Sequence, residues 1–194
     1  MFFQVIKCLV VVYLFVFHRV KIAGEENIPA AGPVIICANH TSNFDPIVLL
    51  FKIKRRMSML AKAELFKIKI IAFLLKKLGA VPVDRSKADM AAYKKAISLL
   101  NDGNALGIFA QGTRVKDGSD DESAAKSGAA FFALKTGAPV IPLYIISTYK
   151  PLSAINIKIG EPITLEEHKD KRVNSELLEI ATKEIMEKVL DMKE

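Results

Sequence analysis

Apolar positions change their period several times along the chain, and each change marks an element. Val34-Ile35-Ile36-Cys37-Ala38 is an unbroken apolar run bounded on one side by Gly32-Pro33, the pattern of a strand buried on both faces. Ala105 to Phe109 and Val140 to Ile146 repeat it. Shorter strands are predicted at His18 to Ile22, at Val81 to Arg85 and, with weak alternation, at Ile155 to Ile159. Between them the period lengthens. Pro46 is placed as the first residue of a helix through Ile47 to Phe51. Ser86 to Leu100 carries Met90, Tyr93, Ile97 and Leu100 at helical spacing and stops at Asn101-Asp102-Gly103. Lys126-Ser127-Gly128 opens a helix through Thr136, and Thr164-Leu165-Glu166-Glu167 reads as a capping box ahead of a charged amphipathic helix, Ser175 to Met192. Strands alternating with helices predict an α/β domain: a central, mostly parallel or mixed sheet covered by helices on both faces.

Two stretches depart from this rhythm. Residues 1–17 are apolar apart from Gln4 and Lys7, which puts them at the bottom of the length range that spans a bilayer. No small-residue cleavage site follows, so a signal peptide is not expected. The expected organisation is therefore a membrane-anchoring helix at 1–17 and one domain at 18–194. Phe2, Phe3, Tyr13, Phe15 and Phe17 favour a helix lying in the interface over a short single span; a helix covering the domain's own core is the third arrangement. The second stretch, Lys52 to Leu78, holds Lys52, Lys54, Arg55, Arg56, Lys62, Lys67, Lys69, Lys76 and Lys77 against Glu64 alone. From Leu65 onward it reads as an apolar helix with lysines at one side and both ends. It either lies on an anionic leaflet with snorkelling lysines or is a charge-laced helix packed in the domain.

A length of 194 residues fits one domain, and a net charge of +7 points to an anionic partner. The basic residues are interleaved with aliphatics rather than stacking aromatics and no nucleic-acid motif is present, which excludes nucleic acid and leaves anionic lipid or a phosphorylated substrate. Cys8 and Cys37 have neither disulfide-framework nor metal spacing and suit a reducing compartment. His18, His40 and His168 are too scattered for zinc. Neither a metal nor a cofactor is expected.

The chemistry concentrates in Asn39-His40-Thr41-Ser42-Asn43-Phe44-Asp45-Pro46. His40 falls in a strand-to-helix turn, and Asp45 lies where the helix begins. If the turn folds back, the carboxylate reaches one imidazole nitrogen and leaves the other free to take a proton, a general base with its orienting acid. An Asp before Pro at a helix start reads equally well as a plain N-cap.

Four segments in order, between about Lys21 and Pro162, carry a resemblance. The chain resembles the glycerolipid acyltransferases, most closely the bacterial 1-acylglycerol-3-phosphate acyltransferases. His40 and Asp45 match the His-x4-Asp motif, and Gly79 to Arg85 match an apolar strand ending in Arg. Phe109-Ala110-Gln111-Gly112-Thr113-Arg114 match in part Phe-Pro-Glu-Gly-Thr-Arg, and Ala138-Pro139-Val140-Ile141-Pro142 match a Val-Pro-containing strand. The resemblance implies a glycerolphosphate acyltransferase-like fold. It also implies transfer of a fatty acyl group from acyl-CoA or acyl-carrier protein, as co-substrates, to the 2-hydroxyl of 1-acylglycerol 3-phosphate. The product is phosphatidic acid, in phospholipid biosynthesis at the cytoplasmic face of the cell membrane. His40 would be the base and Asp45 its orienting acid. The acceptor would be held by Arg85, Gln111, Gly112, Thr113 and Arg114, the arginines gripping phosphate, with Lys126 and the start of its helix adding to the pocket. The departures are Gln111 for the family's Glu and Ala110 for its Pro. An amide hydrogen-bonds but supplies no charge-assisted contact. Several readings stay open on that account: another lysolipid or glycerol 3-phosphate as acceptor, compensation by a carboxylate such as Asp84, or a catalytically weak lipid-binding membrane protein.

Overall fold

The computed structural model describes residues 18–84, 89–111, 126–150, 152–165 and 173–193. In chain order these form β1 (Arg19–Ala23), β2 (Val34–Ala38), α1 (Asp45–Lys52), β3 (Met57–Lys62), α2 (Lys69–Lys77), β4 (Val81–Val83) and α3 (Met90–Asn101). They continue with β5 (Ala105–Phe109), α4 (Gly128–Thr136), β6 (Val140–Ile146), β7 (Ala154–Ile159) and α5 (Ser175–Leu190). A 3-10 helix, Ala63–Lys67, lies between β3 and α2.

The seven strands make one sheet in the order β1-β7-β6-β2-β5-β3-β4. All neighbours are parallel except β6 and β7, so the sheet is mixed. β2 sits at its centre and explains the unbroken apolar run: Val34, Ile36 and Ala38 face one core, with Val48 and Leu49 of α1. Ile35 and Cys37 face the other, with Ala96 and Leu100 of α3, Phe132 of α4, and Ile185 and Val189 of α5. Successive side chains on a strand point to opposite faces, so a strand covered on both sides must be apolar throughout.

This order fixes where a site can form. β2, β3, β4, β5 and β6 run the same way, so their carboxyl ends share one edge of the sheet. The chain fills one side of β2 with β3, β4 and β5, then crosses to the other side with β6. Strand order reverses at β2, and in such sheets the crevice outside the carboxyl ends at the reversal is where ligands bind.

Three readings of the sequence need correction. The Lys52–Leu78 stretch contains a strand: Met57 and Met59 of β3 are buried against β5 while Ser58 and Leu60 are half-buried. Met, Leu, Ala and Lys favour helices in isolation, and pairing with β5 and β4 overrides that preference. The helical remainder is split at Ile68 between the 3-10 helix and α2. Second, the buried stripe of α3 is Ala92, Ala96 and Leu100, whereas Met90 points to solvent. Small residues let this helix lie close to the sheet. Asp89 caps it, its side chain accepting from Ala92 N–H at 3.0 Å. Third, two of the basic residues serve the domain itself. The Arg55 guanidinium donates to the carbonyls of Ala30, Gly32 and Gly103, and Lys54 pairs with Glu25 at 3.4 Å. Residues 1–17, the acidic loop 116–123, and Glu166 and Glu167 of the capping box lie outside the described residues.

Candidate active site

Asn39 follows the last residue of β2 and is buried. Its Nδ2 donates to the carbonyl of Ile145 at 3.1 Å and its Oδ1 accepts from the N–H of Ile145 at 2.7 Å. The side-chain amide thus takes the place of one more ladder pair between β2 and β6. That contact sets the direction in which the chain leaves the sheet. His40 comes next. Its N–H donates to Oε1 of Gln111 at 3.1 Å, and its ring stacks on Phe109, with centroids 3.9 Å apart and planes at 18°.

Asp45 turns back across the loop. Its Oδ2 accepts from His40 Nδ1 at 2.9 Å, from Thr41 N–H at 2.8 Å and from Ser42 N–H at 2.7 Å. Phe44 occupies the cap position of α1 and makes no side-chain cap bond. Of the two readings of Asp45, the carboxylate on the imidazole is the one the geometry has. An ionised carboxylate only accepts, so Nδ1 carries the proton and Nε2 keeps its lone pair. The His40 side chain is 12% exposed and that of Asp45 is 0%. The acid is sealed while the imidazole reaches solvent.

The other carboxylate oxygen belongs to Tyr149, which sequence reasoning missed. Its hydroxyl donates to Asp45 Oδ1 at 2.5 Å. The residue sits three positions beyond β6 with φ 52°, a left-handed conformation uncommon for a bulky side chain. Its ring lies 5.8 Å from Phe44 and 6.2 Å, edge-on, from His18. Burial, then the nearby Asp45 charge and the hydrogen bond to it, push the phenol well above its usual 10.0, so the hydroxyl stays a donor. No signal in the sequence announces it: β6 lies beside β2 in the sheet, and only that pairing brings Tyr149, just past the carboxyl end of β6, to His40, just past that of β2.

Gln111 is buried two residues beyond β5. Lys126 lies beside it, its N–H donating to the carbonyl of Ala110 at 2.8 Å. The structure therefore gathers His40, Asp45, Gln111, Tyr149 and the backbone of Lys126 at one edge of the sheet. Arg85, Gly112, Thr113 and Arg114 lie outside the described residues. Asp84, at the end of β4, is half-buried and its N–H donates to Asp89 Oδ2 at 3.0 Å. Cys37 faces the α3–α5 side, where burial pushes its thiol up to about 12. It lines a small cavity there with Ala110, Lys126, Ala129 and Met186. Among the described residues no three His, Cys, Asp or Glu groups converge as metal ligands.

The family model named Acyltransferase matches residues 19–146, most of the described sheet. The 1-acyl-sn-glycerol-3-phosphate acyltransferase of Borreliella burgdorferi is 33% identical over 132 residues, 67% of this chain and 52% of that protein. The protein of the same name from Bacillus subtilis is 36% identical over 124 residues, 63% of this chain and 60% of that one. The chain thus spans about half the length of the curated relatives it matches. The crystal structure of the 1-acyl-sn-glycerophosphate acyltransferase PlsC from Thermotoga maritima superposes with a TM-score of 0.71 at 28% identity, covering 98% of this chain and 79% of that one.

Proposed function

The chain belongs to the acyltransferase family, and on that premise we propose that it moves a fatty acyl group from acyl-CoA or acyl-carrier protein to the 2-hydroxyl of 1-acylglycerol 3-phosphate, giving phosphatidic acid. The observation that carries this reading is the 2.9 Å contact between His40 Nδ1 and Asp45 Oδ2 at the strand-order reversal. It leaves Nε2 as a proton acceptor on a ring that solvent reaches.

An alcohol is a poor nucleophile. As the acceptor oxygen attacks the thioester carbonyl, Nε2 of His40 takes its proton and Asp45 stabilises the imidazolium that forms. The tetrahedral oxyanion then collapses, the C–S bond breaks, and the imidazolium returns its proton to the departing thiolate. The ester and a free thiol result, with no acyl-enzyme. Cys37, buried with its thiol protonated on the α3–α5 side, is not a nucleophile for this step. General-base help of this kind is worth roughly 10²–10⁴-fold, and positioning two bound substrates supplies much of the rest. Arg85 and Arg114, with Gly112, Thr113 and Lys126, are the groups proposed to bind the acceptor phosphate. Gln111 holds the backbone of His40 through an oxygen, and a neutral amide supplies that acceptor without the charge of a carboxylate. That supports retained activity despite the departure from the family's Glu.

Acceptor and product are lipids, so the site would work at a membrane surface, proposed to be the cytoplasmic face, with 1–17 as the proposed anchor and anionic lipids as partners. Among the described residues no helix is long and apolar enough to cross a membrane. The test is purified protein with acyl-CoA or acyl-carrier protein and lysophosphatidic acid, scored for phosphatidic acid. Product supports the reading. Turnover only with glycerol 3-phosphate or another lysolipid reassigns the acceptor, and lipid binding without product from any acceptor leaves a non-catalytic lipid-binding protein.

A further inference from the structure

Of the nine residues of α2, only Ala72 is buried. Leu65 of the 3-10 helix, Ile68 at the junction, and Ile70 and Phe73 of α2 are 39%, 53%, 65% and 42% exposed. Four large apolar side chains within nine residues form a dense exposed patch for a surface helix. The polar residues around them are almost all of one sign. Lys62, Lys67, Lys69, Lys76 and Lys77 are exposed against Glu64, five positive and one negative, a local balance of +4. Among the described residues none of these lysines is in an ion pair, unlike Lys54 and Lys183. Lys77 shows how the two chemistries combine: its Nζ lies over the ring of Phe73, 5.9 Å from the centroid. An apolar stem and face with the ammonium at the outside is the posture of a lysine at a lipid interface.

Placement adds to this. β3 ends at Lys62 at the edge of the sheet where β2 delivers His40, and the chain enters the 3-10 helix there without a linker. The exposed patch therefore begins at the catalytic edge.

We infer that Ala63–Lys77 is a second membrane-docking surface, which sinks Leu65, Ile68, Ile70 and Phe73 into an anionic leaflet while the surrounding lysines meet headgroup phosphates. An apolar centre ringed by cations fits a bilayer of anionic lipid. A second copy of a chain carrying +7 would be repelled, and an acidic protein would satisfy the lysines but not the four apolar side chains. The inference rests on the membrane-facing part of the function proposed above, and its test is read without turnover, so its failure leaves acyl transfer standing.

The chain has no Trp, so Ile70→Trp in the full chain introduces a single indole on this face. With vesicles of phosphatidylglycerol and phosphatidylcholine in equal parts, the emission shifts to the blue and lipids brominated along the acyl chain quench it. Changing Lys67, Lys69, Lys76 and Lys77 to Gln in the same protein lowers vesicle partitioning by more than about tenfold. The inference is overturned if the protein floats with vesicles while the indole keeps its aqueous emission, or if it does not float at all. It is overturned equally if the emission is already blue without lipid, or shifts only on adding acyl-carrier protein.

Discussion

The hydroxyl of Tyr149 lies 2.5 Å from Oδ1 of Asp45, across 104 residues of sequence. This bond ties the loop after β6 to the turn after β2 and leaves the carboxylate one orientation, with Oδ2 on the imidazole. Hydrogen bonds to charged groups contribute about 1.5–3 kcal/mol, of which catalysis reads the part that holds geometry. Tyr149→Phe is expected to lower kcat about tenfold with KM little changed, as steady-state kinetics would show. It also changes the response to alkali. The folded chain keeps the phenolic proton at a pH where the unfolded phenol, near 10.0, releases it. The contribution to stability is therefore complete below about pH 10 and is lost as pH rises beyond it. Urea unfolding between about pH 9 and 11 should show a steeper loss for the native protein than for Tyr149→Phe.

Asn39→Ala would leave the N–H and the C=O of Ile145 without their side-chain partners. Each buried group stranded in this way costs about 1–3 kcal/mol, so with two of them a destabilisation of about 2–6 kcal/mol is expected in urea denaturation. Asn39→Asp should fare no better. It keeps the acceptor but presents a second one to the carbonyl of Ile145.

Gln111 separates charge from hydrogen bonding. Gln111→Glu retains an oxygen for the N–H of His40 and is expected to keep turnover within about threefold of the native protein, since that bond needs only an acceptor. Gln111→Leu removes the acceptor, leaves the N–H unpaired, and should cost about 1–3 kcal/mol of stability together with activity. Thermal unfolding and initial rates on the pair of variants check both.

The legible parts of the sequence were those decided by burial. β2, β5 and β6 lie between two cores, so their apolar runs could be read directly. β3 could not be, because Met57-Ser58-Met59-Leu60 owes its strand to β5 and β4, neighbours that composition does not announce. Within the site, His40 and Asp45 were legible because both partners lie in one turn, five residues apart. Tyr149 was not, because its partner lies in a distant segment and only the parallel pairing of β6 with β2 brings them together. Asn39 stood in the same octapeptide as His40, yet its task, substituting for a strand residue, shows only once Ile145 is beside it.

Cys37 tests the sealing of the α3–α5 face. Burial raises its thiol from 9.0 to about 12, so in a Cys8→Ser chain the folded protein should resist iodoacetamide near pH 8 and react at once in denaturant. The folded state holds this proton where the unfolded state gives it up. The associated stability is thus present below about pH 9 and falls as pH climbs towards 12. Mass spectrometry of the labelled protein gives the answer.

The central claim is that the Nε2 of His40 takes the proton of an acceptor hydroxyl. Its most direct test is the initial rate of phosphatidic acid formation from lysophosphatidic acid and an acyl thioester, comparing native protein with His40→Ala at matched folding. A fall of about 10²–10⁴-fold is predicted. An unchanged rate would contradict the account, because no other group at this edge of the sheet has been given that proton.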